Sequence, residues 1–353
     1  MKNGDPRILI VRLSAIGDVV RALPVLHVLR EAFHDAQIDW AIERKAAAIV
    51  EDHPLLDDLL VFERPEGWLE STKAFLGFCN RVRRNRYDVV MDLHGIFKSG
   101  MIAGFSRAKR RVGFARPRSR EGSGLFTNRK VRLSSNRLNR VEENLALCEA
   151  VAPRVGWPSV TIYVPPEIQE YVEGYFEETF DGGKQIIAVH APVDRPEKQW
   201  SLTNYAALCD LLLSDGRFEV LLTWGPGQRE MVQRVVSLTR RNPVMAPETP
   251  DLKHFAWLVH LADLYVGGDT GPMHIASAMG TPVVALFGGT DSKKHAPYRP
   301  PYTVLDANEL PPCDDEGAAP GAKELMQRVT PEMAYDACVK LLAKVGEESQ
   351  GRQ

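Results

Sequence analysis

Apolar runs of strand length alternate with longer stretches of helical periodicity along most of the chain, and few folds accommodate that alternation. In the first half the strand-like runs are RILIVRL (residues 7–13), QIDWAIE (37–43), LLVF (59–62) and YDVVMDL (87–93). Between the first two, Val19, Leu23, Leu26, Leu29 and Phe33 recur at helical spacing and share one face. Pro24 interrupts that face, either kinking the helix or opening its main body. The second half repeats the rhythm with QIIAVHA (185–191), FEVLLTW (218–224), LYVGG (264–268) and PVVALFG (282–288). Helical patterns over NYAALCDLLLS and KHFAWLVHLA, and a short helix from Gly271, separate these runs. Such alternation calls for parallel sheets covered by helices on both faces. The expected fold class is α/β, with two Rossmann-like doubly wound domains whose strand ends face each other across a cleft.

A length of 353 residues suits two domains. VPPE (164–167) is the expected linker, because two prolines stop both a helix and a central strand. The boundaries are therefore placed at 1–165 and 166–330, followed by a C-terminal helix over 331–353 whose start is marked by Thr330 and Pro331. A formal net charge of -2 excludes a globally basic nucleic-acid binder, so any charge argument is regional. Cys79, Cys148, Cys209, Cys313 and Cys338 are widely spaced and odd in number, as expected of a reduced cytosolic protein. The first apolar run is too short for a signal peptide, and no run is long enough to span a membrane, which leaves peripheral contact at most.

In doubly wound sheets ligands bind at the carboxyl ends of strands, so the loops after strands are the places for chemistry. In VGGDTGPMHIASAMG (266–280) the glycines permit close backbone approach, Asp269 or Thr270 can cap a helix, and Gly271 opens it. Its N-terminal N–H groups suit an anion such as a nucleotide diphosphate, with His274 on the first turn as a further donor. The alternative is a well-capped helix and a packed histidine. In HAPVDRPEKQW (190–200) Lys198 is placed to meet a phosphate oxygen, or it is an ordinary surface charge. In TWGPGQRE (223–230) Gly225 and Gly227 leave room for a ribose and Glu230 can accept from its hydroxyls. In the first half, DLHGIFKSG (92–100) presents His94 and Lys98. The stretch 107–132 carries ten Lys and Arg, Arg116, Arg120 and Arg129 among them, against the single acid Glu121. Such a segment grips a polyanion, touches anionic lipid or stays solvated. Its aromatic residues are too few to stack on nucleic acid.

Asp18, in RLSAIGD (12–18), sits where a strand hands over to a helix, a position where aspartate is also a favoured cap. Together with YDVVMDLHGIFKSG, GLFTNRK, HAPVDRPEKQW and VGGDTGPMHIASAMGTPVVALFG, the opening ILIVRLSAIGDVVRALP resembles the bacterial lipopolysaccharide heptosyltransferases, most closely the type that adds the first heptose. The resemblance implies a GT-B architecture with the acceptor on the N-terminal domain, ADP-heptose on the C-terminal one, and the C-terminal helix after Thr330 packing back on the N-terminal domain. It implies an inverting glycosyltransferase that moves a heptose from ADP-heptose to a Kdo sugar of Kdo-lipid A, with Asp18 as catalytic base and Lys198 at the diphosphate. Donor contacts then fall on His190, Gly225, Glu230, Asp269, Thr270, Gly271 and His274. Acceptor contacts fall on Ser14, Gly17, His94, Lys98, Arg116, Arg120 and Arg129. Neither a metal nor a cofactor is expected, and the enzyme is expected to be a cytoplasmic monomer, peripheral at the inner membrane. The alternatives are a relative acting on a later core heptose or on a protein, or a nucleotide-sugar epimerase. An epimerase needs no acceptor, and the basic segment argues against it. A dinucleotide oxidoreductase is disfavoured because RLSAIGD lacks the G-x-G-x-x-G fingerprint.

Overall fold

In the computed structural model, which describes residues 6–158, 160–311 and 325–350, the chain divides into two units, Met1–Tyr163 and Val164–Gln353. Cys313 and residues 351–353 of the expected last helix lie outside the described residues.

The first unit holds strands β1 (Arg7–Val11), β2 (Gln37–Glu43), β3 (Asp58–Phe62), β4 (Val89–Asp92), β5 (Arg110–Phe114) and β6 (Arg129–Val131). All pair in parallel, in the order β3-β2-β1-β4-β5-β6. Its helices are α1 (Ile16–Val20), α2 (Leu23–Ala32), α3 (Arg44–Ala47), α4 (Trp68–Arg84), α5 (Phe97–Phe105) and α6 (Arg140–Cys148). Pro24 opens the body of α2 instead of kinking one longer helix, since its missing N–H is one the first turn leaves unpaired anyway. Gly100 of α5 is there for close packing: a Cβ would come within 2.9 Å of the Ser123 backbone.

The second unit repeats the architecture with β7 (Gln185–His190), β8 (Phe218–Thr223), β9 (Val244–Met245), β10 (Leu264–Gly268), β11 (Val283–Phe287) and β12 (Tyr302–Asp306). Their order, β12-β11-β10-β7-β8-β9, is the same path as in the first sheet. Its helices are α7 (Pro166–Thr179), α8 (Leu202–Asp215), α9 (Arg229–Leu238), α10 (Leu252–His260), α11 (Gly271–Ala278), α12 (Ser292–His295) and α13 (Pro331–Gln350). Pro165 and Pro166 form the start of α7, where proline costs nothing. Thr330 caps α13, its hydroxyl accepting from the Met333 N–H at 3.2 Å. Helix α13, expected to pack back on the N-terminal domain, packs on α8, β11 and β12 of its own unit, where Ala334, Cys338 and Leu341 join the apolar core. Among the described residues no helix is long and apolar enough to cross a membrane.

The central strands β1, β4, β7, β10 and β11 are buried almost throughout, which is why they read as unbroken apolar runs. Strands β5, β6, β9 and β12 have no such run, being edge or near-edge strands with polar or half-exposed positions. The basic stretch 107–132 is consequently not a loop, because β5, a short 3₁₀ turn (Ser123–Leu125) and β6 lie within it.

Candidate active site

In a doubly wound sheet the strand order reverses at one point, leaving a crevice at the carboxyl ends of the two strands that flank it. In the first unit those strands are β1 and β4, and the loops that follow them carry Asp18 and His94.

Asp18 lies in the first turn of α1, its side chain about a third exposed. One carboxylate oxygen pairs with Arg12 and the other accepts from Arg21 Nη2 at 2.5 Å. Both arginines are buried, and each is fixed by backbone carbonyls. Arg12 Nη1 donates to Leu93 O at 2.8 Å, and Arg21 Nε donates to Gly17 O at 3.1 Å. Burial lowers the Arg12 pKa to about 10, with the Asp18 charge opposing the shift, so the guanidinium stays cationic at neutral pH. The turn around Gly17 is thus clamped by two cations, and the carboxylate has a defined orientation. Ser14 precedes α1 and is half-buried.

After β4, buried Asp92 accepts from the N–H groups of His94 and Gly95 at 3.1 and 2.9 Å, closing a tight turn. His94 is held neutral: burial, and then the charge of Arg12, lower its pKa to about 3, and its Nδ1 is buried without a hydrogen-bond partner. Lys98, on α5, donates to Glu43 Oε1 at 2.5 Å and lies 4.1 Å from the Phe62 ring centroid. Arg12, Asp18, Arg118 and Lys98 all act on the His94 charge, so these side chains share one neighbourhood.

The basic stretch divides in two. Arg110, Arg111 and Arg118 are structural: Arg110 donates to Ala150 O, Arg111 to Phe126 O and Ala108 O, and Arg118 to His94 O and buried Glu143. Arg116 and Arg120 are exposed in the loop at the carboxyl end of β5, and the Arg120 N–H reaches Gly95 O at 2.8 Å. Arg129 opens β6 and is exposed, in register with Val112 of β5 and so with Met91 of β4, which places it two strands to the side of the turn that carries His94.

In the second unit the reversal falls between β7 and β10. Lys198, in the loop after β7, donates to Asp269 Oδ2 at 2.6 Å, and Asp269 follows β10. Thr290 donates to the same oxygen at 3.0 Å, and His274 Nε2 stands 3.9 Å from the other. Burial pushes the Asp269 carboxyl up, but His274 and Lys198 outweigh it and hold it below its ordinary value. The loop is tight, since a Cβ on Gly268 would meet Val193 at 3.0 Å. Thr270 occupies the N-cap of α11, yet its hydroxyl donates to Gly268 O instead of capping the helix. Gly271 therefore starts a helix whose N-terminal field is directed at Lys198 and Asp269.

Gly225 follows β8, and its N–H donates to Gln228 Oε1 at 2.9 Å. Glu230 is exposed in the first turn of α9. His190 ends β7, buried between Phe255 and Tyr265, with Nδ1 2.9 Å from Thr223 Oγ1. Burial lowers its pKa from 6.5 to about 3. Between those values the unfolded chain binds a proton that folded His190 does not, so stability is complete above about pH 6.5 and falls as pH drops towards about 3. The expected slope is about 1.4 kcal/mol per pH unit from this residue. Urea unfolding at neutral and mildly acidic pH should show a shallower loss for His190→Gln than for the native chain; equal slopes would contradict the assignment.

Sequence reasoning passed over Arg12, Arg21, Asp92, Arg118, Glu143, Gln228 and Thr290. Only the i,i+3 spacing of Asp18 and Arg21 was a local signal.

Two Rossmann-like units, one with a clamped carboxylate at its switch point and one with a lysine beside a helix N-terminus, define a GT-B glycosyltransferase. The chain belongs to glycosyltransferase family 9 (heptosyltransferase), whose model matches residues 76–344. It is 24% identical over 304 residues to the lipopolysaccharide core heptosyltransferase OpsX of Haemophilus influenzae, covering 85% of this chain and 84% of that protein. It is 26% identical over 301 residues to lipopolysaccharide heptosyltransferase 1 of Campylobacter coli, covering 82% and 86%. Among solved structures, the fold matches a glycosyl transferase family 9 protein from Veillonella parvula with a TM-score of 0.83 at 22% identity, covering 98% of this chain and 99% of that one. E. coli heptosyltransferase WaaC with ADP matches with a TM-score of 0.74 at 20% identity, covering 95% and 99%.

Proposed function

We propose that this enzyme transfers a heptose from ADP-heptose to a Kdo sugar of the lipopolysaccharide inner core, with inversion at the anomeric carbon. The observation that carries the reading is Asp18, a carboxylate oriented by two buried guanidiniums at the switch point of a family 9 chain. The names of the relatives and the ADP in the WaaC structure support the donor and the core acceptor.

In this reading a Kdo hydroxyl attacks the anomeric carbon as the bond to the ADP β-phosphate oxygen breaks, and Asp18 takes the hydroxyl proton. A hydroxyl is a weak nucleophile until its proton starts to leave, which is the base's contribution. Ser14, Gly17, His94, Lys98, Arg116 and Arg120 are assigned to the anionic acceptor; neutral His94, with an orphan Nδ1, suits a sugar hydroxyl. Arg129 is left out of that set for its position. Lys198, the α11 N-terminus with Thr270 and Gly271, and His274 are assigned to the diphosphate. The charge that grows there on departure needs fixed donors already in place. His190, expected as a donor contact, is buried between Phe255 and Tyr265 and bonded to Thr223, so it is given no donor contact, and Gly225 with Glu230 is assigned to the ribose. The acceptor's lipid anchor brings the reaction to the inner membrane surface, where a monomer works as a peripheral enzyme.

The test is incubation of the purified chain with ADP-L-glycero-β-D-manno-heptose and Kdo₂-lipid A, reading ADP release and acceptor mass. A gain of one heptose is the expected result. ADP release without a mass gain would show hydrolysis, the heptose passing to water because Kdo₂-lipid A is not the acceptor, and absence of both signals would overturn this pairing of donor and acceptor.

A further inference from the structure

The amino end of the first sheet carries a second concentration of charge that the transfer reaction does not use. A cavity of about 720 Å³, open to solvent and lined by exposed charges, lies between the last turn of α4, the entry to β4 and the end of α5. Arg83, Arg84, Arg86, Arg107 and Lys109 line it, with Asp88 as the one acid. One oxygen of the Asp88 carboxylate accepts the backbone N–H of Arg7 at 3.0 Å, and its charge offsets one of the five cations and leaves the other four. None of the five cations makes an ion pair among the described residues, whereas Arg110, Arg111 and Arg118 nearby in sequence are all tied to carbonyls or carboxylates. Two of the five sit where a helix hands over to a strand with left-handed backbone, Arg86 at φ 52° and Arg107 at φ 55°. Glycine is the unstrained residue at such positions, so the chain holds an arginine at each against its backbone preference.

We propose that this cavity is a second anion site, built for a ligand with two or more phosphate groups. All five cations are solvent-exposed, so water and salt screen their mutual repulsion, and a multivalent anion gains over simple counter-ions by meeting several of them at once. Arginine forks match phosphate oxygens in pairs, which favours phosphate over a diffuse anion. The site is separate from the transfer chemistry. Asp18 and His94 follow the carboxyl ends of β1 and β4, while the cavity borders the start of β4, a strand of four residues and so about 13 Å long. Its ligand is a soluble di- or polyphosphate or the phosphate headgroups of an anionic membrane, and these share the same recognition chemistry.

Two variants test it on the full chain. Arg83→Gln/Arg84→Gln removes two exposed cations, and Arg86→Gly removes one while placing the favoured residue at a left-handed position, so a loss of fold cannot explain its effect. Each is titrated with inorganic pyrophosphate by calorimetry at low salt, and floated with phosphatidylcholine vesicles with and without phosphatidic acid. On the donor assignment proposed above, pyrophosphate binding at that site is common to every variant, so the cavity is read as the component that the substitutions remove. That component should weaken about tenfold or more in the double variant and fade with added salt. Loss of pyrophosphate binding alone identifies a soluble ligand; loss of retention on phosphatidic acid vesicles identifies the membrane. Pyrophosphate and vesicle binding unchanged in both variants would overturn the proposal.

Discussion

Asp18→Asn should lower heptose transfer by about 10²–10⁴-fold, the usual contribution of a positioned general base. The change is nearly isosteric, and an amide oxygen still accepts one hydrogen bond, so the turn at α1 is kept. The other half of the amide is a donor, and it would face a guanidinium, which has donors only. Arg12 is 4% exposed and Arg21 8%, so neither can turn to water for compensation. We therefore expect a stability loss of about 1–3 kcal/mol alongside the kinetic one. The two effects separate experimentally: urea unfolding measures the first, and turnover of protein shown by circular dichroism to be folded measures the second. Turnover within tenfold of the native enzyme in folded Asp18→Asn would remove this residue from the role of base and leave it as the anchor of two arginines.

Lys198→Ala should reduce kcat/KM for ADP-heptose by about 10²–10³-fold, the scale of losing one fixed donor to a developing charge. The structure adds a second reason. Lys198 neutralises Asp269, whose side chain is 6% exposed, and without it a carboxylate stands at the start of α11 with only Thr290 and His274 beside it. A diphosphate approaching that helix would meet repulsion as well as the loss of a cation. Adding Asp269→Ala should therefore restore part of the donor KM while leaving kcat low, a coupling that a double-mutant cycle measures. Lys198→Arg should rescue incompletely, because a planar fork does not replace a compact point charge in a site this tight. Steady-state kinetics on the three single variants and the double variant, with ADP affinity by calorimetry, decide the matter. Unchanged kcat and KM in Lys198→Ala would place the lysine outside the donor site.

Both predictions concern residues that the order of strands and loops already marked out. The buried strands β1, β2, β4, β7, β8, β10 and β11 were legible because a strand enclosed by helices is apolar along its length. The loop positions of Asp18, His94, Lys198 and Asp269 followed from those strands. The thin strands β6 and β9 were not legible, since pairing on one side and exposure on the other leave no periodic signature in three residues or two.

What the sequence by itself determined about this protein is local: which segments are strands or helices, their alternation and hence the doubly wound class, and the loops where chemistry can sit. The tertiary structure alone decided which charges meet. Lys198 and Asp269 are 71 positions apart, and Arg12 reaches Leu93 across 81. The same basic run yields structural arginines, exposed arginines at one end of the sheet and two cations in a cavity at the other. Periodicity is set by backbone geometry within a few residues, whereas an ion pair depends on where strands far apart in the chain end, and that is settled only when the sheet has formed.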